Sequence, residues 1–459
     1  FLDPEDGEEY LYTNFEPFDA HRLFPCFDQP DLKATYQLTV TAPEEWELIA
    51  NSLEESTQPA SDDRITRIYA ETKPFSTYLF ALIAGPYHAF RDDHNGTPIG
   101  LFCRKSMAQY LDTEELFNIT KKGLDFFEEF FDYPYAFGKY DQIFVPEFNH
   151  GAMENVGAVT FNESMVYRDP PTENQRRRRA EVILHEMAHM WFGDLVTMDW
   201  FDDVWMKEVF ANFMAAKIVH PSFPEVNHEL RFLLAHHDAA YTVDRTPGAN
   251  HIRQGLENLN DAGALYGPII YQKAPVVMRQ LEELVGEGAF RDGLREYLDA
   301  YRYGNATWPD LIDILDRQTP ENLKTWSAVW VGEPGRPTIE ARLKVAANGQ
   351  VTGATVSQED PLNLGRVWPQ ELELLLRYDD GDRRLPVSLA SSRVSLEGLE
   401  ASVPGVGVPN AGGLEYGRFR LDVRTRETLL ATLPEMADPC LLYTSDAADE
   451  RSSVDLGGR

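Results

Sequence analysis

The spacing of two histidines constrains this chain more than any other feature of its sequence. They stand four residues apart in the segment His185-Glu186-Met187-Ala188-His189. On a helix, residues at this spacing share one face, so both imidazoles can point at one metal ion. Glu186 lies about 100° round the helix from His185, a position from which a carboxylate can act as a general base on metal-bound water. The alternative interpretation is a pair of ordinary histidines on a helix surface.

A strong helix-start signal precedes the histidines. Residues 172–175 read Thr-Glu-Asn-Gln, a capping-box pattern in which the first and fourth side chains satisfy backbone amides of the first turn. We therefore predict a helix that runs from Thr172 to Trp191 and stops near Gly193. Further helices are predicted over residues 112–131, 204–218, 224–240, 269–285, 288–302 and 308–317.

A lone acid supplies a third candidate ligand. Glu208 lies in the apolar segment 204–213. A carboxylate there is costly to bury unless a positive charge compensates it. A metal ion would provide that charge, and the alternative is a pairing with Lys or Arg.

The donor set indicates which metal to expect. Two histidines and one glutamate leave a fourth coordination position open, as in catalytic rather than structural zinc sites. Magnesium and calcium prefer more oxygen ligands, so we expect one zinc ion per chain. Because zinc acidifies a bound water and polarises a carbonyl, these residues predict a hydrolase.

Composition excludes some partners. The chain has 42 Lys and Arg against 75 Asp and Glu, a net charge of −33, which disfavours both nucleic acid and anionic membranes. The longest apolar run, residues 78–84, is too short to span a bilayer and predicts a buried strand. Three cysteines make no disulfide framework and favour a reducing, cytoplasmic location. We expect a monomer.

The pattern of strands and helices predicts a multidomain α+β protein. Alternating and β-branched segments at 36–40, 46–50 and 67–70 indicate a β-rich start, helical signals follow, and strands return at 338–345, 371–378, 385–389 and 417–423. The predicted regions are a β domain over 1–90, a mainly helical domain with the metal motif over 91–333, a small β-sandwich over 334–425 and the start of a helical region over 426–438. Residues 439–459 resemble translated sequencing adaptor, and we expect them to be foreign to the fold.

Several segments together resemble one family. Residues 151–155 read Gly-Ala-Met-Glu-Asn after an apolar strand at 142–145, and combined with His185, His189 and Glu208 they resemble the aminopeptidase N family of gluzincin zinc metallopeptidases. Similar stretches occur at 24–30, 145–149 and 191–197, so the likeness runs from about residue 8 to about 425. It implies a β-saddle domain truncated at its start, a thermolysin-like α/β catalytic domain and a β-sandwich.

The resemblance also implies how the substrate is held. In the family, acids bind the ammonium group of a free peptide N-terminus, and the matching residues here are Glu154, Glu16 and the ligand Glu208. With the ammonium held, only the first peptide bond reaches the metal. The expected substrates are therefore peptides with a free N-terminus. The predicted substrate-binding residues are Glu16, Gly151, Ala152, Met153, Glu154 and Asn155.

A tyrosine is expected to complete the chemistry. The family stabilises the oxyanion of the reaction with zinc and a Tyr hydroxyl, and Tyr271 matches that position, with Tyr266 as the competing candidate. This chain departs from the family pattern at Asn14, Val209 and Ala274, where we expect effects on specificity rather than on chemistry.

Three other functions stay open at this point. An epoxide hydrolase with side aminopeptidase activity occurs among relatives of the family, although Ala152 favours a plain aminopeptidase. A scaffold without catalysis would have no need of an open zinc site. An endopeptidase would fit the zinc motif alone, but Glu154 and Glu16 favour action at the N-terminus.

Overall fold

The computed structural model describes most of the chain as two compact units. The first comprises Phe1–Pro224, Gly255–Gly263 and Arg291–Ile314, and the second comprises the rest. The described residues are 1–246, 249–347, 351–378, 381–401, 406–413, 415–432 and 438–440. Residues 441–459 of the tail expected to be foreign, and residues 433–437 of the predicted terminal helical region, lie outside that description. The predicted domain limits stay predictions.

The first unit combines short strands with three long helices. Its helices are α1 (Thr113–Phe131), α2 (Glu173–His189) and α3 (Val204–Ser222). Its strands are β1 (Leu11–Tyr12), β2 (Thr39–Pro43), β3 (Glu47–Ala50), β4 (Glu54–Pro59), β5 (Arg64–Tyr69), β6 (Leu82–Gly85), β7 (His88–His94), β8 (Thr97–Cys103), β9 (Tyr140–Val145), β10 (Ala152–Met153), β11 (Ala158–Asn162), β12 (Thr197–Met198) and β13 (Asn305–Ala306).

A five-stranded mixed sheet of order β10-β11-β9-β8-β7 lies in this unit. Strand β9 pairs in parallel with both β8 and β11, whereas β10 and β7 pair antiparallel with their neighbours. Residues Gln142–Val145 of β9 are all buried, as the continuous apolar run predicts for a central parallel strand. The segment 151–155 therefore contains the short strand β10, at one edge of the sheet.

Helices α1 and α2 approach each other closely at a glycine. A Cβ added to Gly123 of α1 would lie 2.6 Å from Cδ2 of Leu184 and from Sδ of Met187 on α2. A larger residue at this position would force the Leu184 and Met187 side chains to shift. The close crossing holds in place the helix that carries both histidines.

The start of α2 is as predicted, and its end differs. The Thr172 side chain accepts from the Gln175 amide while the Gln175 side chain accepts from the Thr172 amide, which confirms the capping box. The helix ends at His189 rather than at Trp191. There the chain turns, with the Asp194 amide donating to the His189 carbonyl at 3.0 Å, and Gly193 adopts φ +138°.

Helix α3 is enclosed along its first two turns. Residues Val204–Ala211 are all buried, and α3 packs along α2. A helix buried on every side reads as apolar all round, which explains why Lys207 and Glu208 are isolated charges in that stretch.

The second unit contains shorter helices and two sheets. Its helices are α4 (His228–Phe232), α5 (Asp238–Asp244), α6 (Ala274–Val285), α9 (Leu323–Trp330) and α10 (Val423–Thr432), while α7 (Glu287–Tyr301) and α8 (Trp308–Asp316) have residues in both units. Its strands are β14 (Thr338–Val345), β15 (Val351–Glu359), β16 (Gln370–Tyr378), β17 (Gly381–Leu389), β18 (Arg393–Ala401), β19 (Val406–Val408) and β20 (Arg418–Arg420).

The two sheets of the second unit share a hydrophobic cluster. Their orders are β18-β15-β14-β20 and β17-β16-β19. Ile339 and Val356 of one sheet belong to the same buried cluster as Leu374 and Leu389 of the other. Alternating side chains of both sheets therefore form one core, as expected for strands with one buried face.

Two strand predictions were wrong in part. The run 78–84 was predicted to be one buried strand. It begins inside a 3-10 turn, Thr77–Leu79, and strand β6 starts only at Leu82. The whole run is nevertheless almost fully buried, so apolar content without alternation gave no local sign of the turn. Residues 417–423 form only the short β20, because α10 begins at Val423.

The chain is thus a mixed α/β protein with several sheets and helices. Among the described residues, no helix combines the length and the apolar character needed to cross a membrane.

Candidate metal centre and substrate site

Helices α2 and α3 bring the three predicted metal ligands together. Ligand atoms of His185, His189 and Glu208 all lie within 4.8 Å of one another. The two histidine Nε2 atoms are 3.1 Å apart, and they lie 3.5 Å and 3.9 Å from the nearer Glu208 oxygens. His189 and Glu208 are buried and His185 is half-buried.

This spacing fits a tetrahedral ion. Bonds of about 2.0–2.1 Å at tetrahedral angles place ligand atoms about 3.3 Å apart. The three observed separations lie on both sides of that value. Two imidazoles and one carboxylate are also the donor set of catalytic zinc, so the residues present fit the ion that the spacing predicts.

Contacts behind the histidines orient them for a metal. His185 Nδ1 lies 3.1 Å from Oδ1 of Asn212, and His189 Nδ1 lies 3.0 Å from the Phe192 carbonyl. A proton on each Nδ1 donates to these oxygens and leaves both Nε2 lone pairs for a metal. No motif in the sequence indicated Asn212, although it stands four residues after Glu208 and therefore on the same face of α3.

Glu186 lies beside this group and is buried. Its carboxylate, with those of Glu154 and the imidazole of His189, forms a second set of ligand atoms within 4.8 Å. Burial raises the pKa of Glu186 well above its usual value, and the charges of Glu154 and Glu208 raise it further. A carboxyl group of high proton affinity therefore lies where a general base is expected.

Both buried predicted ligands have a lowered pKa, for different physical reasons. Burial lowers the pKa of His189 to about 4, so the ring is neutral, as a metal ligand must be. Burial would raise the pKa of Glu208, but the charge of Lys207 and the interactions with His185 and His189 outweigh it and hold that pKa well below its usual range.

The two predicted amine-binding acids meet at a lysine that the sequence analysis did not single out. Lys207 Nζ donates to Glu16 Oε1 at 2.7 Å, forms an ion pair with Glu154, and lies 3.3 Å from Glu208 Oε1. Its side chain is 2% exposed. The lone acid of α3 thus has both predicted partners within reach, a metal position and a lysine.

Charge interactions in this cluster are strong in both directions. Burial would lower the pKa of Lys207, but Glu154 and Glu16 outweigh it and hold that pKa well above its usual value. Burial acts against ionisation of Glu154 as well, yet Lys207 lowers its pKa overall. For Glu16, burial exceeds the effect of Lys207 and raises the pKa to about 7.

The segment 151–155 lies at the sheet edge beside these acids. Gly151 accepts from the Asn162 amide at 2.9 Å and is exposed, with open space where a Cβ would be. Ala152 and Met153 form β10, and Asn155 Nδ2 donates to Thr160 Oγ1 at 3.2 Å. The pairing with β11 orients Glu154 inward, where it is 3% exposed.

Comparison with known families decides the relationship. The model of the peptidase family M1 domain matches residues 115–330, and that of the peptidase M1 N-terminal domain matches residues 1–79. The chain belongs to the peptidase M1 family. The resemblance stated from the motifs is thereby confirmed.

Several curated proteins are similar to this M1 chain over much of its length. Aminopeptidase N of Streptomyces lividans is 41% identical over 97% of the chain and 50% of its own length. Probable aminopeptidase 1 of Sulfurisphaera tokodaii is 33% identical over 75% and 44%, and leucyl aminopeptidase of Saccharolobus solfataricus is 32% identical over 76% and 43%. The chain spans about half the length of the curated relatives that it matches.

The structure also describes the predicted oxyanion-binding tyrosine and the three departures from the family pattern. Tyr271 belongs to the second unit, in the π-helical turn Ile269–Lys273, and its ring is 6.3 Å from that of Tyr266. Val209 and Ala274 are fully buried and Asn14 is half-buried. The roles of Tyr271 and of these three departures stay predictions.

Proposed function

We propose that this chain carries the catalytic site of a zinc-dependent aminopeptidase that hydrolyses the N-terminal peptide bond of peptides. One observation carries the proposal: the ligand atoms of His185, His189 and Glu208 lie within 4.8 Å of one another, and the buried carboxylate of Glu186 lies beside them. Membership of the M1 family and the names of the similar proteins support it.

His185, His189 and Glu208 would hold the ion. When bound, zinc supplies an acidified water and polarises the carbonyl of the scissile bond. The contacts of the two Nδ1 atoms with Asn212 and Phe192 fix the ring orientations, which reduces the reorganisation needed on binding.

Glu186 is assigned the movement of protons. Its carboxylate takes a proton from the attacking water and delivers it to the nitrogen of the departing amine. Burial raises the pKa of Glu186, so its carboxylate holds a proton taken from water more strongly than an exposed glutamate would.

Glu16 and Glu154 are assigned the recognition of the free N-terminus. Two carboxylates at one end of the site attract an ammonium group and fix its distance from the metal position. The peptide that follows can pair with the edge strand β10, where Gly151 leaves room for it and Ala152 to Asn155 complete the segment. Tyr271 is assigned the hydrogen bond to the oxyanion, with Tyr266 as its alternative.

The finer fold assignments belong to the same proposal. The strand-rich region over 1–90 is assigned to a β-saddle domain, 91–333 to a thermolysin-like domain and 334–425 to a β-sandwich. We also propose a cytoplasmic location and a monomeric state. The similar proteins whose names state an activity are aminopeptidases, which favours this activity over an epoxide hydrolase, an endopeptidase or a scaffold.

The test measures metal and turnover in the same sample. The purified chain is assayed with a panel of aminoacyl fluorogenic substrates, with and without a chelator, and its zinc content is determined. We expect about one zinc per chain, loss of hydrolysis with chelator and recovery on adding zinc. Protein that binds no zinc and hydrolyses none of the panel would contradict the proposal.

A pair of histidine variants makes the test specific. His185→Gln should lower zinc affinity by at least about 10-fold to 100-fold, as even loss of an outer contact does. His94→Gln is the matched control, because His94 lies on β7 and contacts Asp125 rather than the metal group. Equal zinc binding by the two variants would exclude His185 as a ligand.

A further inference from the structure

Lys207 lies where the proposed function requires a different cation. Its ammonium contacts Glu16 at 2.7 Å and pairs with Glu154, the two acids assigned to the N-terminal ammonium of the substrate. Its side chain is 2% exposed and also lies over the ring of Tyr78, 5.3 Å from the centroid. The acids are therefore not vacant before a substrate arrives.

The three acids around this lysine outnumber it. Glu16, Glu154 and Glu208 all contact one ammonium group. Buried carboxylates that exceed their cations favour the entry of another cation. The proposed function names two such cations: a metal ion held by Glu208 and the ammonium group of a substrate.

A substrate ammonium would meet Lys207 at close range. The two carboxylates that would bind it are already hydrogen-bonded to Nζ, so the incoming group must share them or displace the lysine. Like charges at such separations repel strongly where water is excluded. The lysine thus opposes the interaction for which the acid pair is assigned.

We propose that Lys207 is a specificity-determining residue, an internal competitor for the carboxylates that recognise the substrate's free N-terminus. This rests on the proposed function. It weakens the binding of ammonium-bearing ligands and narrows the preference of the site for free over blocked N-termini. Since Lys207 is not assigned to the reacting atoms, its effect lies in binding rather than in the chemical step.

The experiment compares a ligand that carries a free ammonium group with one in which that nitrogen is acetylated. Leucinamide and N-acetyl-leucinamide are used as competitive inhibitors of the zinc-loaded full chain and of its variants. In Lys207→Gln, the inhibition constant of leucinamide should fall at least about tenfold and that of the acetylated compound should stay the same. KM for aminoacyl substrates should fall similarly, with kcat changed less than KM.

Two variants control for charge. Lys207→Arg keeps a cation between the acids and should bind leucinamide as the unmodified protein does. Lys217→Gln removes a positive charge further along α3, where Lys217 lies over Phe213 rather than between the acids, and should also leave both constants unchanged. An unchanged or weaker affinity of Lys207→Gln for leucinamide, with zinc content intact, would overturn the proposal.

A second variant covers failure of Lys207→Gln to fold. In Glu16→Gln, Lys207 faces Glu154 without its second acid, so the affinity for leucinamide should fall to that for the acetylated compound. A retained preference for the free amine would show that Lys207 does not compete. Failure of the proposed function is seen separately, as absence of zinc and turnover in the unmodified protein.

Discussion

Two buried lysines, one in each unit, differ in the number of carboxylates around them. Lys273 in the second unit pairs with Asp244 at 2.9 Å, and both side chains are fully buried. Asp244 also accepts from the Gly335 amide at 3.0 Å and from the Tyr416 hydroxyl at 3.1 Å, while Lys273 donates to the Gly335 carbonyl. One cation meets one acid, and their hydrogen bonds are shared with backbone and hydroxyl groups.

Lys207 in the first unit is surrounded by an excess of acids. It contacts Glu16, Glu154 and Glu208, next to the predicted metal position. Breaking a balanced buried pair mainly destabilises a fold, whereas surplus charge at a buried site is a mark of binding or catalysis. By charge balance, we therefore expect the Lys273–Asp244 pair to stabilise the fold and the Lys207 cluster to affect substrate binding.

The largest effect is expected at Glu186, the acid to which we assign the movement of protons. Glu186→Gln should keep its zinc and lose turnover by about 10²-fold to 10⁴-fold, because the amide cannot accept a proton. Initial rates and metal analysis on the same sample give both values. Glu181→Gln, on the same helix and paired with Arg177, is the control. Retained activity in Glu186→Gln would reject its role as the base.

The balanced pair should instead affect the fold. Lys273→Met leaves Asp244 buried without its cation, so the free energy of unfolding should fall by about 3–5 kcal/mol, with zinc content unchanged. Denaturant unfolding measures the loss, with Lys324→Met, at an exposed site on α9, as the control. A loss of zinc at unchanged stability would erase the distinction between the two lysines.

The surplus acids should make hydrolysis depend on the positive charge of the substrate's N-terminus. Peptides with an acetylated N-terminus should be hydrolysed with a kcat/KM at least about tenfold lower than that of their free counterparts, because they lack the ammonium that Glu16 and Glu154 are proposed to bind. Competition assays with paired peptides measure the ratio. Equal rates for both peptides would remove the amine-anchor role of these acids.

The smallest effect is expected at the start of α2. Thr172→Ala removes the capping side chain and should lower the free energy of unfolding by about 1 kcal/mol. Zinc content should not change, because His185 and His189 are held by packing of α2 on α3 and α1. A fall in zinc occupancy at full folding would show that the cap, rather than packing, positions the ligands.

Sequence patterns predicted the local parts of the site well. The helix start at Thr172, the i,i+4 histidines and the apolar setting of Glu208 depend on neighbours along the chain. Their geometry follows from helix periodicity alone. The resemblance to a family added Glu16 and Glu154. These residues lie on separate segments of the chain, so no periodicity could reveal that both contact Lys207.

The parts that were missed depend on distant contacts. Lys207 reads as an ordinary charge beside Glu208 until the fold brings Glu16 and Glu154 to it, from 191 and 53 residues away. The turn at Thr77–Leu79 is equally invisible, because burial of the whole run obscures any alternation. In both places tertiary packing, rather than propensity, decides the outcome.

The enclosure of α3 has a consequence for how the site can change. Residues 204–211 have almost no surface, so a different side chain there alters the packing volume on every side. Glu208 and Lys207 are consequently presented from a backbone that cannot adjust to its ligands. The entropy of ordering these side chains is lost during folding, so we expect little further loss when the proposed metal ion binds.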